Sequence, residues 1–466
     1  MRTALLLVVL LSAALLLTGQ SPDWDAVNKE TLKHFQALVR INTTDPPGNE
    51  EPAVEYLKGV LEADGIEVKT FTKWPKRPNL VARLNGNGKK RPLLLMGHTD
   101  TVNVDPEKWK EHGPFSADLS GGHIYGRGTV DDKDNVVASL MTMLLLKRSG
   151  LELDRDVIFL AESGEEGATR VGIRFMVEEH WNEIEAEYCL AEGGSVSLDE
   201  GKLVSMNVAT TEKLPSRVIL RAEGTAGHGS VPLDDNAVAR VSAAVAKLAA
   251  WRTPMKLNDT TRTYFERLST VSTPEKAARY NSLTHPERSA EAQEYLRLHE
   301  PRHYSMLRTS VTPTIVRGGY RMNVIPSEAE ATIDVRLAPG ETPDDFLAEM
   351  KRQIADDSII IEPMNREREP TPPSRLDTEV FRILEQKQRE IYPGAITLPA
   401  MLTGATDMAF LRARGVQCYG IGPAIDVADA PKGYGAHSDR ERILEAELYR
   451  FVRFNYEVVK SIAAAQ

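Results

Sequence analysis

Cysteine is nearly missing from this chain, with 2 in 466 residues, Cys189 and Cys418. Two thiols exclude a disulfide framework and a thiolate metal cluster. Any metal is therefore left to imidazole and carboxylate, of which the sequence holds 10 His and 67 Asp+Glu. A basic block is missing too. The 57 Lys+Arg are dispersed among the acids and the formal net charge is −10; no positive stripe is long enough to track a phosphate backbone, which argues against a nucleic-acid partner. Long apolar runs are also scarce. The one that stands out is Ala4 to Leu17, 14 residues behind Met1 and Arg2, short of the roughly 20 needed to span a bilayer as a helix. It reads as a secretory signal peptide over residues 1–20, with an uncleaved N-terminal anchor as the alternative. The expected location is secreted or periplasmic, and no stable membrane span is expected after signal removal. Export would permit a Cys189–Cys418 disulfide, but both residues sit in apolar runs, YCLA and VQCYGIG, a setting that favours buried free thiols.

What is present is the texture of a folded α/β protein. Hydrophobic residues make up 41% and charged residues 27%, interleaved along the chain, which excludes disorder. A single core stops growing at roughly 250–300 residues, so more than one unit is expected. Apolar strand-like runs at 79–84, 91–98, 156–162 and 187–192 alternate with helical stretches at 134–147 and 169–179. Continuous apolar strands separated by helices predict a mostly parallel, helix-covered sheet. In the middle of the chain, residues 216–224 and 328–339 alternate in strand fashion and 236–251 form an amphipathic helix. This predicts a smaller inserted α+β domain over 210–362, interrupting a larger α/β domain made of 21–209 and 363–466. The polar, helix-prone stretch 252–310 is read as an elaboration of that insert, and the last helix is expected from about 439 to 464.

Five segments are each read as placing a His or carboxylate in a turn just after an apolar strand: GHTD (97–100), GRGTVDDKD (126–134), SGEEGA (163–168), AEGG (191–194) and GAHSDRE (435–441). In open α/β sheets ligands gather at the carboxyl ends of the strands. Imidazole and carboxylate suit Zn²⁺, and two metals about 3.5–4 Å apart need a bridging group between them. Each turn alone is weak; their joint order is the signal. The remaining His (34, 112, 123, 180, 285, 299 and 303) fall in none of these motifs.

In this order the motifs resemble those of the two-zinc metallopeptidase family of aminoacylase, carboxypeptidase G, succinyl-diaminopimelate desuccinylase and the Gly-Xaa carboxypeptidases, from about residue 30 to the C-terminus. The resemblance implies two Zn²⁺, with Co²⁺ or Mn²⁺ able to substitute. It makes His98, Asp131 and Glu192 ligands of one metal and Asp131, Glu166 and His437 ligands of the other. It gives Glu165 the part of general base and Asp100 that of orienting His98 through its imidazole N–H. In GTAGHGSVP (224–232), His228 would stabilise an oxyanion, usually in the partner subunit's site; the plainer reading is a turn residue between glycines. Arg336 and Asn323 align with residues that hold a substrate carboxylate, and Gly404 and Thr406 of LTGATD (402–407) with a loop lining the cleft, although Thr406 and Asp407 equally suit a helix N-cap. Two positions depart from the pattern: Asp134 replaces a Gly, and Gly164 replaces an acidic residue. The implied activity is hydrolysis of an amide beside a free carboxylate, in a small peptide or an N-acyl amino acid, by a homodimer formed through the inserted domain. The alternatives are a deacetylase or desuccinylase of a metabolic intermediate and a catalytically inactive binding relative.

Overall fold

The computed structural model describes residues 21–465; the leader read over residues 1–20 lies outside them. Ten strands form the larger sheet. At its centre Val157–Glu162, Leu93–His98, Tyr188–Ala191 and Gln417–Gly420 run parallel, all but one of their residues buried. On one flank Pro78–Leu84 and Glu67–Thr72 join antiparallel. On the other, Lys202–Glu212 pairs antiparallel with Gln417–Gly420 and Ser195–Asp199 and parallel with Ile396–Leu402. The sheet is thus mixed, with a parallel centre.

Helices cover both faces. Trp24–Arg40, Glu51–Ala63, Lys133–Ser149, Glu379–Ile391 and Glu445–Ala463 bury their apolar stripes in one core, and Ile173–Glu179 and Met408–Arg412 close the other. Local sequence explains their bounds. Asp23 caps the first helix by accepting from the amides of Asp25 and Ala26, and Gly150, at φ 63°, ends Lys133–Ser149 in the left-handed conformation that glycine adopts at no steric cost. Cys189 and Cys418 face one another in adjacent parallel strands, buried and free.

Three expectations are corrected. The last helix starts at Glu445, because Arg442–Leu444 pairs as a strand with His123–Tyr125. The helix expected from 169 starts at Ile173; residues 164–172 instead form successive turns, with Ala168 N–H bonded to the Gly164 carbonyl and Val171 N–H to that of Ala168. The helices within 252–310 (Asp259–Thr270, Pro274–Leu283, Ala290–His299 and Pro301–Met306) share their apolar cluster with Leu398, Ala400 and Met401 of the larger sheet. A strand paired on one side only needs cover, and these helices supply it.

The smaller sheet is antiparallel throughout: Ser310–Gly318, Glu328–Leu337, Val218–Glu223 and Ile359–Pro363 in order, with Leu214–Pro215 extending it. Ala237–Ala250 and Pro343–Ile354 pack on one face. No helix among the described residues is long and apolar enough to cross a membrane.

One buried ion pair joins strand Lys202–Glu212 to helix Met408–Arg412. Arg412 Nη1 lies 2.8 Å from Glu212 Oε2, with side chains 2% and 3% exposed. Removing one partner leaves an uncompensated buried charge. Arg412→Ala is therefore expected to cost about 3–5 kcal/mol, read as a lowered urea midpoint of the unfolding transition that includes the larger domain.

Candidate metal centre

His98 ends a central strand, and its register partner on the next strand is Glu162. Its Nδ1–H donates to the Asp100 carbonyl oxygen at 3.0 Å, which directs Nε2 toward the Asp131 carboxylate, 3.1 Å from Oδ1. The other Asp131 oxygen, Oδ2, lies 2.9 Å from His437 Nε2, and that nitrogen is 3.1 Å from Glu166 Oε1. One carboxylate thus faces two imidazoles that lie 339 residues apart in the chain (437 − 98). Ligand atoms of His98, Asp131 and Glu166 lie within 4.8 Å of one another, as do those of His98, Glu165 and Glu192.

These contacts test whether a cation fits. With Nδ1 donating to a carbonyl, the neutral His98 ring presents a lone pair to Asp131, and a lone pair against a carboxylate repels. A positive charge between them, a proton or a metal ion, makes the contact attractive. His437 Nε2 faces the Asp131 and Glu166 carboxylates, which push its pKa up to about 10. Burial raises the pKa values of Glu165 and Glu192, and neighbouring carboxylates raise them further, Asp407 and Glu192 acting on Glu165. Asp131 goes the other way: burial opposes its ionisation, but His437 and His98 outweigh it and hold the carboxyl well below its usual range. Two imidazoles and several carboxylates of opposed tendencies, with no thiolate, form a donor set suited to hard or borderline divalent cations.

The turns that carry these groups are fixed from behind. Asp100 was expected to orient His98 with its carboxylate; its main-chain carbonyl does so, and Oδ1 stands 3.6 Å from the ring nitrogen. The carboxylate takes three backbone amides instead, those of Gly164 at 2.8 Å, Glu165 at 3.2 Å and Glu166 at 3.0 Å. Burial alone would raise the Asp100 pKa, but His98 and the amides outweigh it and keep the group ionised. Gly164 has a physical reason here: its φ is +81°, and a Cβ would meet the Ala168 carbonyl oxygen at 2.7 Å. Asp132 accepts the His98 amide at 3.1 Å and the Asn135 side chain at 2.7 Å, and the Asp131–Asp132 peptide is cis. Lys133 turns away, donating to the carbonyls of Leu38 and Ile41 at 3.0 and 2.8 Å. Asp134 is buried at the first turn of helix Lys133–Ser149, with its pKa pushed up to about 8 by burial.

The other site residues lie elsewhere. Arg336 Nε binds Asp334 at 2.9 Å and lines a cleft of about 390 Å³ shared with Glu165, Glu166 and Arg368. Exposed His228 bonds Ser230 through Nδ1 at 2.7 Å, and the Asn323 carbonyl accepts the Gly229 amide at 2.8 Å; neither side chain is among those lining the cleft. Gly404 is exposed, with open space where a Cβ would stand. The Thr406 hydroxyl donates to Glu212 Oε2 at 2.8 Å and accepts the Met408 amide at 3.3 Å, so it closes both a loop and a helix start. Residues absent from the sequence reading also matter. Glu441 accepts from Arg127 at 2.5 Å and from the Val130 amide at 3.0 Å, tying the 126–131 turn to the segment that carries His437. In the sequence it is visible only as the last letter of GAHSDRE.

With this geometry in place, the family profile described as peptidase family M20/M25/M40 matches residues 94–461. The chain belongs to that family. A probable carboxypeptidase S-like 2 of Dictyostelium discoideum is 30% identical over 328 residues, covering 68% of this chain and 62% of its own length, so the chain spans less than two thirds of that relative. The human N-fatty-acyl-amino acid synthase/hydrolase PM20D1 is 28% identical over 384 residues, covering 80% of this chain and 74% of its own. Among solved structures, the M20 family metallo-carboxypeptidase Sso-CP2 of Sulfolobus solfataricus superposes with a TM-score of 0.69 at 20% identity, over 92% of this chain and 98% of that one. Human carnosine dipeptidase 1 gives 0.59 at 15% identity, over 93% and 97%. The M20 architecture, a helix-covered catalytic sheet with a smaller inserted α+β domain, is therefore the architecture of this protein. As a member of that family it carries two groups of imidazole and carboxylate that could hold metal ions.

Asp100→Asn places an amide N–H₂ against backbone donors and so loosens the turn carrying Glu165 and Glu166. Groups that orient metal ligands typically contribute 10–100-fold to affinity. The expected outcome is a metal affinity lower by about that factor, measured by calorimetric titration of chelator-stripped protein, with the far-UV circular dichroism retained.

Proposed function

We propose that this protein is an exported two-zinc hydrolase that cleaves an amide next to a free carboxylate, in a dipeptide, at a peptide C-terminus or in an N-acyl amino acid. One observation carries the reading: Glu165 stands in the same cleft as Arg336, and beside the ligand atoms of His98 and Glu192. A cluster for cations, a carboxylate base and an arginine fork thus meet in one space. The two curated relatives support it, because the printed names of both concern carboxyl-terminal or amino-acid amides.

His98, Asp131 and Glu192 would hold one metal and Asp131, Glu166 and His437 the other. When bound, the pair supplies Lewis acidity at the scissile carbonyl and makes water acidic near neutral pH. The chain's own residues do the rest. Arg336 receives the substrate carboxylate, since a planar guanidinium matches its two oxygens, and Asn323, whose carbonyl accepts the Gly229 amide beside His228, would assist only at a site that His228 also reaches. Glu165 takes a proton from the attacking water, holds it on a carboxylate oxygen, and delivers it to the leaving nitrogen. Its raised pKa suits that exchange, because the best acid–base groups titrate near the working pH. Glu166 faces His437 at 3.1 Å and would be taken up by the cation, so the adjacent glutamates divide the work.

Glu165→Gln is expected to lower kcat on an N-acetyl-L-amino acid and dipeptide panel by about 10²–10⁴-fold, with metal content per chain unchanged by elemental analysis. Full activity in the variant would sink the mechanism, and a wild type without metal or turnover would mark the chain as an inactive binding relative.

The inserted domain keeps His228 away from the cluster of its own chain, which supports a dimer in which each His228 serves the partner's site as an oxyanion donor. Mixing inactive Glu165→Gln with inactive His228→Ala tests this. Subunit exchange should restore activity, because the mixed dimer holds one site with both groups intact; a mixture as inactive as its components would count against service in trans.

A further inference from the structure

The segment that returns the chain from the smaller sheet to the larger one supplies no metal ligand, yet it borders the cleft. It leaves edge strand Ile359–Pro363, and the Met364 amide at once donates to the Arg217 carbonyl at 2.9 Å. Glu367 Oε2 then accepts the hydroxyl of Thr169 at 2.6 Å. The next residue, Arg368, reaches inward with a side chain 16% exposed. Its Nε donates to the Thr406 carbonyl at 3.3 Å and its Nη2 to Asp407 Oδ1 at 3.0 Å, while the guanidinium carbon lies 5.2 Å from the centre of the Phe410 ring. The same Nη2 stands 3.6 Å from Glu165 Oε1.

We propose that Glu367 and Arg368 form a clasp that holds Glu165 in its working position and ties it to the seating of the inserted domain. The inference rests on Glu165 being the general base. Asp100 fixes the backbone of Glu165 but leaves the side chain free to turn, and among the described residues Arg368 is the one cation within ion-pair distance of its carboxylate. The arginine is itself immobilised by a carbonyl, a carboxylate and a ring, so it can fix a second carboxylate without swinging. A guanidinium cannot take the proton from Glu165, so it orients the base without competing with it. Glu367 holds the far end of the same turn, at Thr169. Both grips belong to the segment leaving the inserted sheet, so displacement of that sheet would slacken them together.

Arg368 and Glu367 are positioning residues on this reading, and the test separates positioning from plain stability. Arg368→Ala should lower kcat on N-acetyl-L-amino acids about 10²-fold, the cost of a roughly 1 Å misplacement. KM should stay within about threefold and metal content should match wild type. Amide hydrogen exchange over residues 163–172 should accelerate in Arg368→Ala and in Glu367→Ala. Added guanidinium ion should restore part of the Arg368→Ala rate, and Arg368→Lys should recover less than wild type because it lacks the planar fork. Unchanged exchange and kcat, or a loss traced to metal content, would overturn the clasp. If wild type turns over no panel member while exchange still accelerates in Arg368→Ala, the substrate reading fails and the clasp stands.

Discussion

The site depends on how one buried carboxylate is spent. Asp100 sits two residues beyond the strand that ends in His98, and its two oxygens collect the amides of Gly164, Glu165 and Glu166. Charge-assisted bonds of this kind are about twice as strong as neutral ones, and three on one group make the turn rigid in the frame of the adjacent strand. Because Asp100 also gives its carbonyl to His98 Nδ1, a single residue fixes the ring of His98 and the backbone that carries Glu165 and Glu166. Parallel neighbours make this economical: Leu93–His98 and Val157–Glu162 end at the same level, so the turns following them meet without any long-range loop.

A second anchor works across the chain's whole length. Arg127 and Glu441 form a buried pair, and Glu441 also takes the Val130 amide. Asp131 follows that amide immediately and His437 precedes Glu441 by four positions, so the pair sets the distance between the Asp131 carboxylate and the imidazole that faces it. The desolvation cost of such a pair can exceed its Coulombic gain. Its value here lies in register, since the two segments meet only if the pair closes.

Much of this was legible in the sequence, and the failures have physical causes. Strand ends at His98 and Glu192 were readable because continuous apolar runs stop there, and the order of the motifs pointed to the family. The part played by Asp131 came from resemblance, since spacing alone does not say which of the adjacent acids 131, 132 and 134 faces outward. The Asp100 carboxylate was assigned to the ring two residues away; its true partners are backbone amides more than 60 positions on, which no side-chain pattern records. Glu212, Glu367 and Arg368 were overlooked as partners for the same reason, since Thr406, Thr169 and Glu165 lie far from them along the chain. The polar, helix-prone texture of 252–310 pointed to helices but not to the surface that buries them. The start of the last helix failed because DRERILEAE suits a helix as well as the strand that pairing with His123–Tyr125 selects.

The remaining constraint is the repulsion of the site against itself. Glu162, Glu165, Glu192 and Asp132 all have pKa values raised first by burial and then by one another's neighbours. A cation bound among such groups would favour their charged forms, so metal affinity would depend on pH. Whatever binds the folded state alone stabilises it by mass action, and the cluster therefore draws part of the protein's stability from the ions it was built to hold. This gives the rigid backing a purpose beyond alignment. Without Asp100, Glu441 and the buried Lys133 holding the turns to the sheet, mutual repulsion would spread the carboxylates, and each would be solvated separately instead of shared between metals. The three anchors are buried and committed to backbone or ion-pair partners, which lets the ligands remain crowded and incompletely paired until the cations arrive.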